Sequence, residues 1–223
     1  MFTLWPYFCS KLVNMDHQLT HDSPKSLSQP DVRAARLDQL QQPHILPLTR
    51  FVEQMRQETR RGLDIPYFDP MDGGINAKCL FLGEAPGPQA VKSGFVSRNN
   101  PDNSARNFFE LSREAAIARE QTVAWNIVPW YIGSGKKIRP ALRKDIREGE
   151  VFLLRLLLLF PNLSVVVLAG KKAQVIEGLI QKHLPGVKLI TMMNTSPLVL
   201  NTKRENRGKI LAKLKQVAQI LSA

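Results

Sequence analysis

The chain has 223 residues, with 31 Lys and Arg against 19 Asp and Glu and a formal net charge of +12. Hydrophobic residues make up 43%, enough for a core, which excludes a wholly disordered chain. The longest apolar runs, Leu156 to Phe160 and Val165 to Ala169, are five residues each, against the ~20 that a membrane-spanning helix needs; the two cysteines, Cys9 and Cys79, are too few for a disulfide framework, an all-cysteine zinc site or a four-thiolate iron–sulfur cluster.

Residues 1–45 read as an N-terminal extension. Met1 to Val13 is apolar but broken by Pro6 and lacks the charge-first order of a secretory signal. Residues 16–45 are rich in Asp, Gln, Ser and Pro without a sustained period, as in a flexible arm, and Met15 is an alternative start. Residues 46–223 then form one domain. Leu48, Phe51, Val52 and Met55 predict a helix over 48–61, ended at Gly62. Two prolines and a glycine pair make Asp64 to Gly74 an irregular loop. Lys78 to Leu82 reads as a buried strand, Gly83 to Gly94 as a Gly/Pro loop, Ser104 to Arg119 as a helix with Phe108, Leu111, Ala115 and Ala118 on one face, and Thr122 to Val128 as a second strand. Pro140 to Leu159 reads as a helix with proline in its first turn. Ser164 to Ala169 is nearly all apolar, as in a strand covered on both faces. A helix over Lys171 to His183 and a strand over Val187 to Met193 follow. Thr202 and Glu205 have capping-box spacing before a last helix that carries Ile210, Leu214, Val217 and Leu221 on one face. This alternation predicts βαβ units: an α/β, three-layer αβα sandwich with a central four-stranded parallel sheet.

Ligands of such sheets bind beyond the carboxyl ends of the strands, and three strand ends carry unusual residues. The first runs Gly83-Glu84-Ala85-Pro86-Gly87, either a plain turn or a loop that lets backbone approach a ligand closely. The second strand contains Asn126, whose amide either ties down the next loop or offers a donor–acceptor edge to a ligand. The last strand ends in Asn194-Thr195-Ser196-Pro197-Leu198, followed by Lys203, Arg204 and Arg207, which is either ordinary cap chemistry or a phosphate-binding turn. Residues 101–223 carry net +11 against +1 for residues 1–100, and such asymmetry points to a polyanion such as nucleic acid. Gly133 to Lys137 lacks the leading glycine spacing and the Ser/Thr of a nucleotide-binding loop and reads as a basic loop.

Gly83 to Gly87, Phe95 in Gly94-Phe95-Val96, Asn126 and Ser196-Pro197-Leu198 together resemble the uracil-DNA glycosylase superfamily, from about Asp64 to Leu221. The Gly-Glu-Ala-Pro-Gly form is typical of its bacterial and archaeal branches. The resemblance implies an enzyme that flips a deaminated base out of DNA and hydrolyses its N-glycosidic bond. It implies that Phe95 stacks on the flipped uracil, Asn126 pairs with its N3–H and O4, and amides near Ala85 reach O2. Pro86, Gly87, Ser196 and Pro197 contact the DNA backbone, Leu198 fills the vacated stack, and Lys203, Arg204 and Arg207 neutralise phosphates. Two departures from the family pattern matter. Ala85 stands where the best-known branch has a water-positioning carboxylate, which leaves Glu84 as the candidate and Asp102 as a remoter one. Asn194 stands where the family usually has the histidine that donates to O2. The Gly-Glu-Ala-Pro-Gly branch usually holds a four-cysteine cluster, so the resemblance here implies a cluster-free bacterial relative without cofactor, monomeric, acting on DNA in the cytoplasm and not at a membrane. It leaves open uracil against another deaminated base such as hypoxanthine, and an active enzyme against a weak or inactive DNA-binding protein of the same fold.

Overall fold

The structure is a computed structural model, which describes residues 22–134 and 138–222. Residues 1–21 and Gly135, Lys136 and Lys137 of the basic loop lie outside the described residues. In chain order the elements are α1 (Pro30–Asp38), α2 (Leu46–Thr59), β1 (Tyr67–Phe68), β2 (Cys79–Gly83), α3 (Pro88–Ser93), β3 (Phe95–Val96), α4 (Asn103–Glu114), β4 (Thr122–Asn126), α5 (Arg143–Leu157), β5 (Val165–Ala169), α6 (Glu177–His183), β6 (Lys188–Met192), α7 (Pro197–Thr202) and α8 (Asn206–Leu221).

Four strands form one parallel sheet in the order β4-β2-β5-β6. Alternate residues of each strand face opposite layers. Cys79 and Phe81 of β2, Val165 and Val167 of β5, and Ile190 and Met192 of β6 pack under α4 and α8 through Leu111, Ile210, Leu214 and Val217. Leu80, Leu82, Val123, Trp125, Val166 and Leu168 pack on the other side under α2 and α5, through Leu48, Val52, Ile146 and Leu153. Both faces are covered, which is why these strands read as continuous apolar runs. From β2 the chain crosses to β4 on one side, while β5 leads on to β6 on the other, so a crevice opens at the carboxyl ends of the central strands.

The sequence reading missed β1 and β3, a two-residue parallel pair with Tyr67 opposite Phe95. Runs this short carry no periodicity. It also read residues 22–45 as part of a flexible extension, whereas the structure gives a 3₁₀ turn at Ser26–Ser28, α1 and a second turn at Gln39–Gln41. These segments place Leu27, Val32 and Leu40 with Phe95 in a small core of their own.

The N-terminal segment is tied to the domain by buried charges. Arg36 pairs with Asp69, with side chains 1% and 0% exposed. Arg119 pairs with Asp69 at 2.6 Å, with Asp72 at 2.8 Å, and with Asp22. Arg119 also donates to Asn99 Oδ1 at 2.7 Å, and the Ser97 hydroxyl donates to Asp69. Burial alone would raise the Asp69 carboxyl, but Arg119, Arg36 and Ser97 hold it below the usual range. At Asp72 burial outweighs the pull of Arg98 and Arg119 and pushes the carboxyl up. Removing one partner of such a set leaves buried charge uncompensated. Asp69→Ala is expected to lower the unfolding free energy by about 3–5 kcal/mol, read as a shift of the urea midpoint with an unchanged slope.

Candidate active site

A cleft of about 980 Å³ lies at the carboxyl ends of the sheet, lined by the loops after β2, β5 and β6 and by the first turns of α4. Its floor is one face of two adjacent strands: Phe81 pairs with Ala124 and Gly83 with Asn126, and all four line the cleft. Asn126 is 8% exposed. Its carboxamide makes no hydrogen bond to another described residue, which is unusual for a nearly buried amide and leaves both its donor and its acceptor for a ligand. Gly83 makes room for it, since a Cβ there would stand 2.8 Å from Asn126 Oδ1.

Glu84 follows directly. Its backbone oxygen accepts from the Val128 amide at 3.0 Å, prolonging the β2–β4 pairing past the strand ends. Its carboxylate Oε1 accepts from the Ala141 N–H at 2.6 Å, while Lys172 Nζ donates to the Ala141 carbonyl at 2.8 Å. One residue of the rim is thus pinned through its backbone from two strand ends. Glu84 Oε2 makes no hydrogen bond to another described residue and remains an acceptor. Ala85, Pro86 and Gly87 continue along the wall, and Pro88 in the first turn of α3 turns the chain away.

On the opposite wall Asn194 Oδ1 accepts from the Ser196 N–H at 3.1 Å. Only the oxygen of the carboxamide can accept, so Nδ2 is the donor end. It faces Gly170, whose φ is +94° and whose added Cβ would stand 3.2 Å from Asn194 Nδ2. The Thr195 carbonyl accepts from Asn107 Nδ2 and its hydroxyl donates to the Ser104 carbonyl, both at 2.9 Å, which fastens this turn to α4. The Ser196 hydroxyl oxygen accepts from the Val199 amide and caps α7, with Pro197 at its first position and Leu198 80% exposed. The sequence reading placed no helix here and took Thr202 as a cap for the last helix. Instead the Thr202 hydroxyl donates to the Leu198 carbonyl, and α8 has no side-chain cap hydrogen bond at Glu205, so the capping box does not form. Lys203 and Arg204 are exposed beyond α7, whereas Arg207 is engaged by Glu114.

Phe95 does not reach the cleft. It is fully buried among Leu27, Val32 and Leu40, with Tyr67 beside it. The alternation of β3 sends Val96 toward the cleft instead. The helical N-terminal segment supplies the apolar surface that takes Phe95, a packing role that its aperiodic sequence does not announce. Asp102 lines the cleft but spends Oδ1 on capping α4, accepting from the Ala105 amide at 2.9 Å. Several lining residues lie outside the motifs, among them Phe108, which the sequence assigns to a helix core face, and Arg98.

The rim that carries Ala141 is also held by Arg139, which forms a two-point ion pair with Asp145 at 2.6 and 2.9 Å. That pairing, with the Leu142 amide, holds the Asp145 carboxyl down at about 2, from an ordinary 3.8. A carboxyl lowered in the folded state contributes stability above its unfolded value and loses it as pH falls toward the folded one. The stability difference between wild type and Asp145→Asn, followed by urea titration, is therefore expected to be constant above pH 4 and to shrink between pH 4 and 2.

The fold is thus a three-layer α/β sandwich whose strand-end cleft brings together a carboxamide without a hydrogen bond among the described residues, a carboxylate and a helix-capping serine turn, with exposed cations nearby. The profile described as the Uracil DNA glycosylase superfamily matches residues 70–215, and the chain belongs to that superfamily. The crystal structure of wild-type SMUG2 from Pedobacter heparinus is similar, with a TM-score of 0.52 and 12% identity over 79% of this chain and 84% of that one; this likeness shows the fold. A solution structure of a uracil DNA glycosylase candidate from Methanosarcina acetivorans aligns with a TM-score of 0.43 and 17% identity, over 64% of this chain and 92% of that one. No curated protein matches the chain.

Proposed function

We propose that the protein is a DNA glycosylase that hydrolyses the N-glycosidic bond of a flipped-out uracil, or a related deaminated base, in DNA. The observation that carries this reading is the nearly buried Asn126 carboxamide, without a hydrogen-bond partner among the described residues and seated against Gly83 on the cleft floor. Its donor and acceptor match uracil O4 and N3–H and oppose cytosine, where both are reversed.

The remaining groups fit the same chemistry. As the C1′–N1 bond breaks, positive charge grows on the sugar and negative charge on the base. Asn194 Nδ2, oriented by the Ser196 N–H, donates to uracil O2, and amides near Ala85 add to it. Glu84 Oε2 holds the attacking water and takes its proton while Oε1 stays on the Ala141 amide. Pro86, Gly87, Ser196 and Pro197 lie against the DNA backbone, Leu198 fills the gap left by the flipped nucleotide, and Lys203 and Arg204 screen phosphates, joined by Arg207 where DNA draws it from Glu114. The inferred partner is DNA.

A second reading, a weakly active or inactive DNA-binding protein, draws on the Glu84 oxygen already committed to Ala141. One assay separates them. Labelled oligonucleotides containing one uracil, single-stranded and opposite guanine or adenine, are incubated with protein and treated with alkali. Strand breaks at uracil are expected with wild type. Glu84→Ala is expected to lose about 100-fold or more. Glu84→Gln keeps an acceptor for the Ala141 amide yet loses the charge, so it is expected to lose a similar factor. Full activity in Glu84→Gln would make Glu84 a clamp on the rim only, and no breaks at stoichiometric wild-type protein would favour the binding reading.

A further inference from the structure

The inner wall of the cleft gives a role to a residue that no motif contains, on the basis of the glycosylase reading. Phe81 lies one two-residue step, ~6.6 Å, back from Gly83 on the same face of β2. The Phe108 ring packs edge-on against Phe81, with centroids 5.0 Å apart, and lines the cleft together with Asn126. Phe108 thus lines the deeper part of the cleft, about two strand residues behind the level of Asn126. Over that ring stands the Arg98 guanidinium, its carbon 5.0 Å from the centroid.

Arg98 is 4% exposed. Its Nη2 donates to Thr122 Oγ1 at 2.7 Å and lies 3.6 Å from Asp72, while its buried Nε has no hydrogen-bond partner among the described residues. The charge is thus fixed in place before any ligand arrives, with donor capacity unspent.

We propose that Arg98 is a positioning residue for the reaction: held against Phe108, its positive charge offsets the negative charge that grows on the departing base, in a site where Asn194 brings a neutral donor. When the C1′–N1 bond breaks, its electron pair passes to N1 and spreads to O2. The water hydroxyl joins C1′, and the water proton goes to Glu84. The departing base is therefore an anion, and the ring that lines the cleft behind Asn126 already holds a cation on its face. A guanidinium is drawn to the ring quadrupole, its field falls off slowly in a water-poor site, and a charge already in position requires no reorganisation during the reaction.

The test compares single-turnover release of uracil and of 5-fluorouracil from otherwise identical oligonucleotides. Fluorine stabilises the departing anion, so 5-fluorouracil needs less help. R98M is expected to slow uracil release about tenfold, a fraction of what losing a direct donor costs, and to slow 5-fluorouracil release much less. R98K, which keeps a charge, is expected to fall between wild type and R98M. A merely structural Arg98 would slow both bases by the same factor, and that result overturns the inference. Should R98M fold poorly, the double variant R98M/D72N removes both buried charges together, and F108L removes the ring and leaves the ion network whole; each is expected to shift the ratio of the two rates in the same direction, and an unchanged ratio in both overturns the inference. Wild-type protein that releases neither base overturns the glycosylase reading and this inference with it, whereas equal slowing overturns this inference alone.

Discussion

A parallel sheet packed on both faces has little room for polar side chains away from the ends of its strands. In this chain the constraint is tight: β2 and β5 are buried throughout except at Gly83 and Ala169, where the chain leaves the sheet. The groups able to do chemistry follow from that. Asn126 ends β4 opposite Gly83, Glu84 begins the loop after β2, Lys172 comes soon after β5, and Asn194 comes soon after β6. Their convergence follows from register, because parallel neighbours bring their carboxyl ends to the same edge. The missing side chain at Gly83 is part of that register, since it lets the Asn126 amide lie across the end of β2.

The ion network does for the cleft loop what register does for the strand ends. Asp69 sits between Arg36 of α1 and Arg119, while Ser97 and Asn99 bind into the same cluster. Ser97 and Arg98 therefore leave β3 on a foundation laid partly by the N-terminal helices. Replacing such a cluster with apolar residues often leaves stability unchanged. Its value here is positional, since the polar contacts fix one path for the loop from Ser97 to Asp102 along the cleft wall.

The sheet and its flanking helices were legible in the sequence because buried parallel strands and amphipathic helices leave strong local patterns. Val165 to Ala169 shows this most plainly. Glu84, Asn126 and Asn194 were legible for a related reason, as polar residues at predicted strand ends. The rest depended on contacts distant in sequence. Phe95 reads as a site residue from its motif, yet its orientation is set by Leu27, Val32 and Leu40, more than fifty residues earlier. The Thr202 and Glu205 spacing matches a capping box, but a proline-started turn at Pro197 took Thr202 into a different helix. Arg36, Asp69, Arg98 and Arg119 are spread over four segments, and no period links them. Arginine, aspartate and a helical phenylalanine are too common for their spacing to announce that Arg98 lies over Phe108.

The double hold on Ala141 has a consequence for how such a site can change over time. Glu84 and Lys172 both grip main-chain atoms, the amide and the carbonyl of one residue. Every amino acid except proline offers that pair, so the side chain at position 141 is constrained only in bulk, being fully buried, and not in chemistry. Selection on the rim therefore acts on the two gripping residues, while the gripped one is free to drift among small side chains. A comparison of related sequences would show two strand ends that tolerate little, and between them in space a position whose variation hides the contact they share.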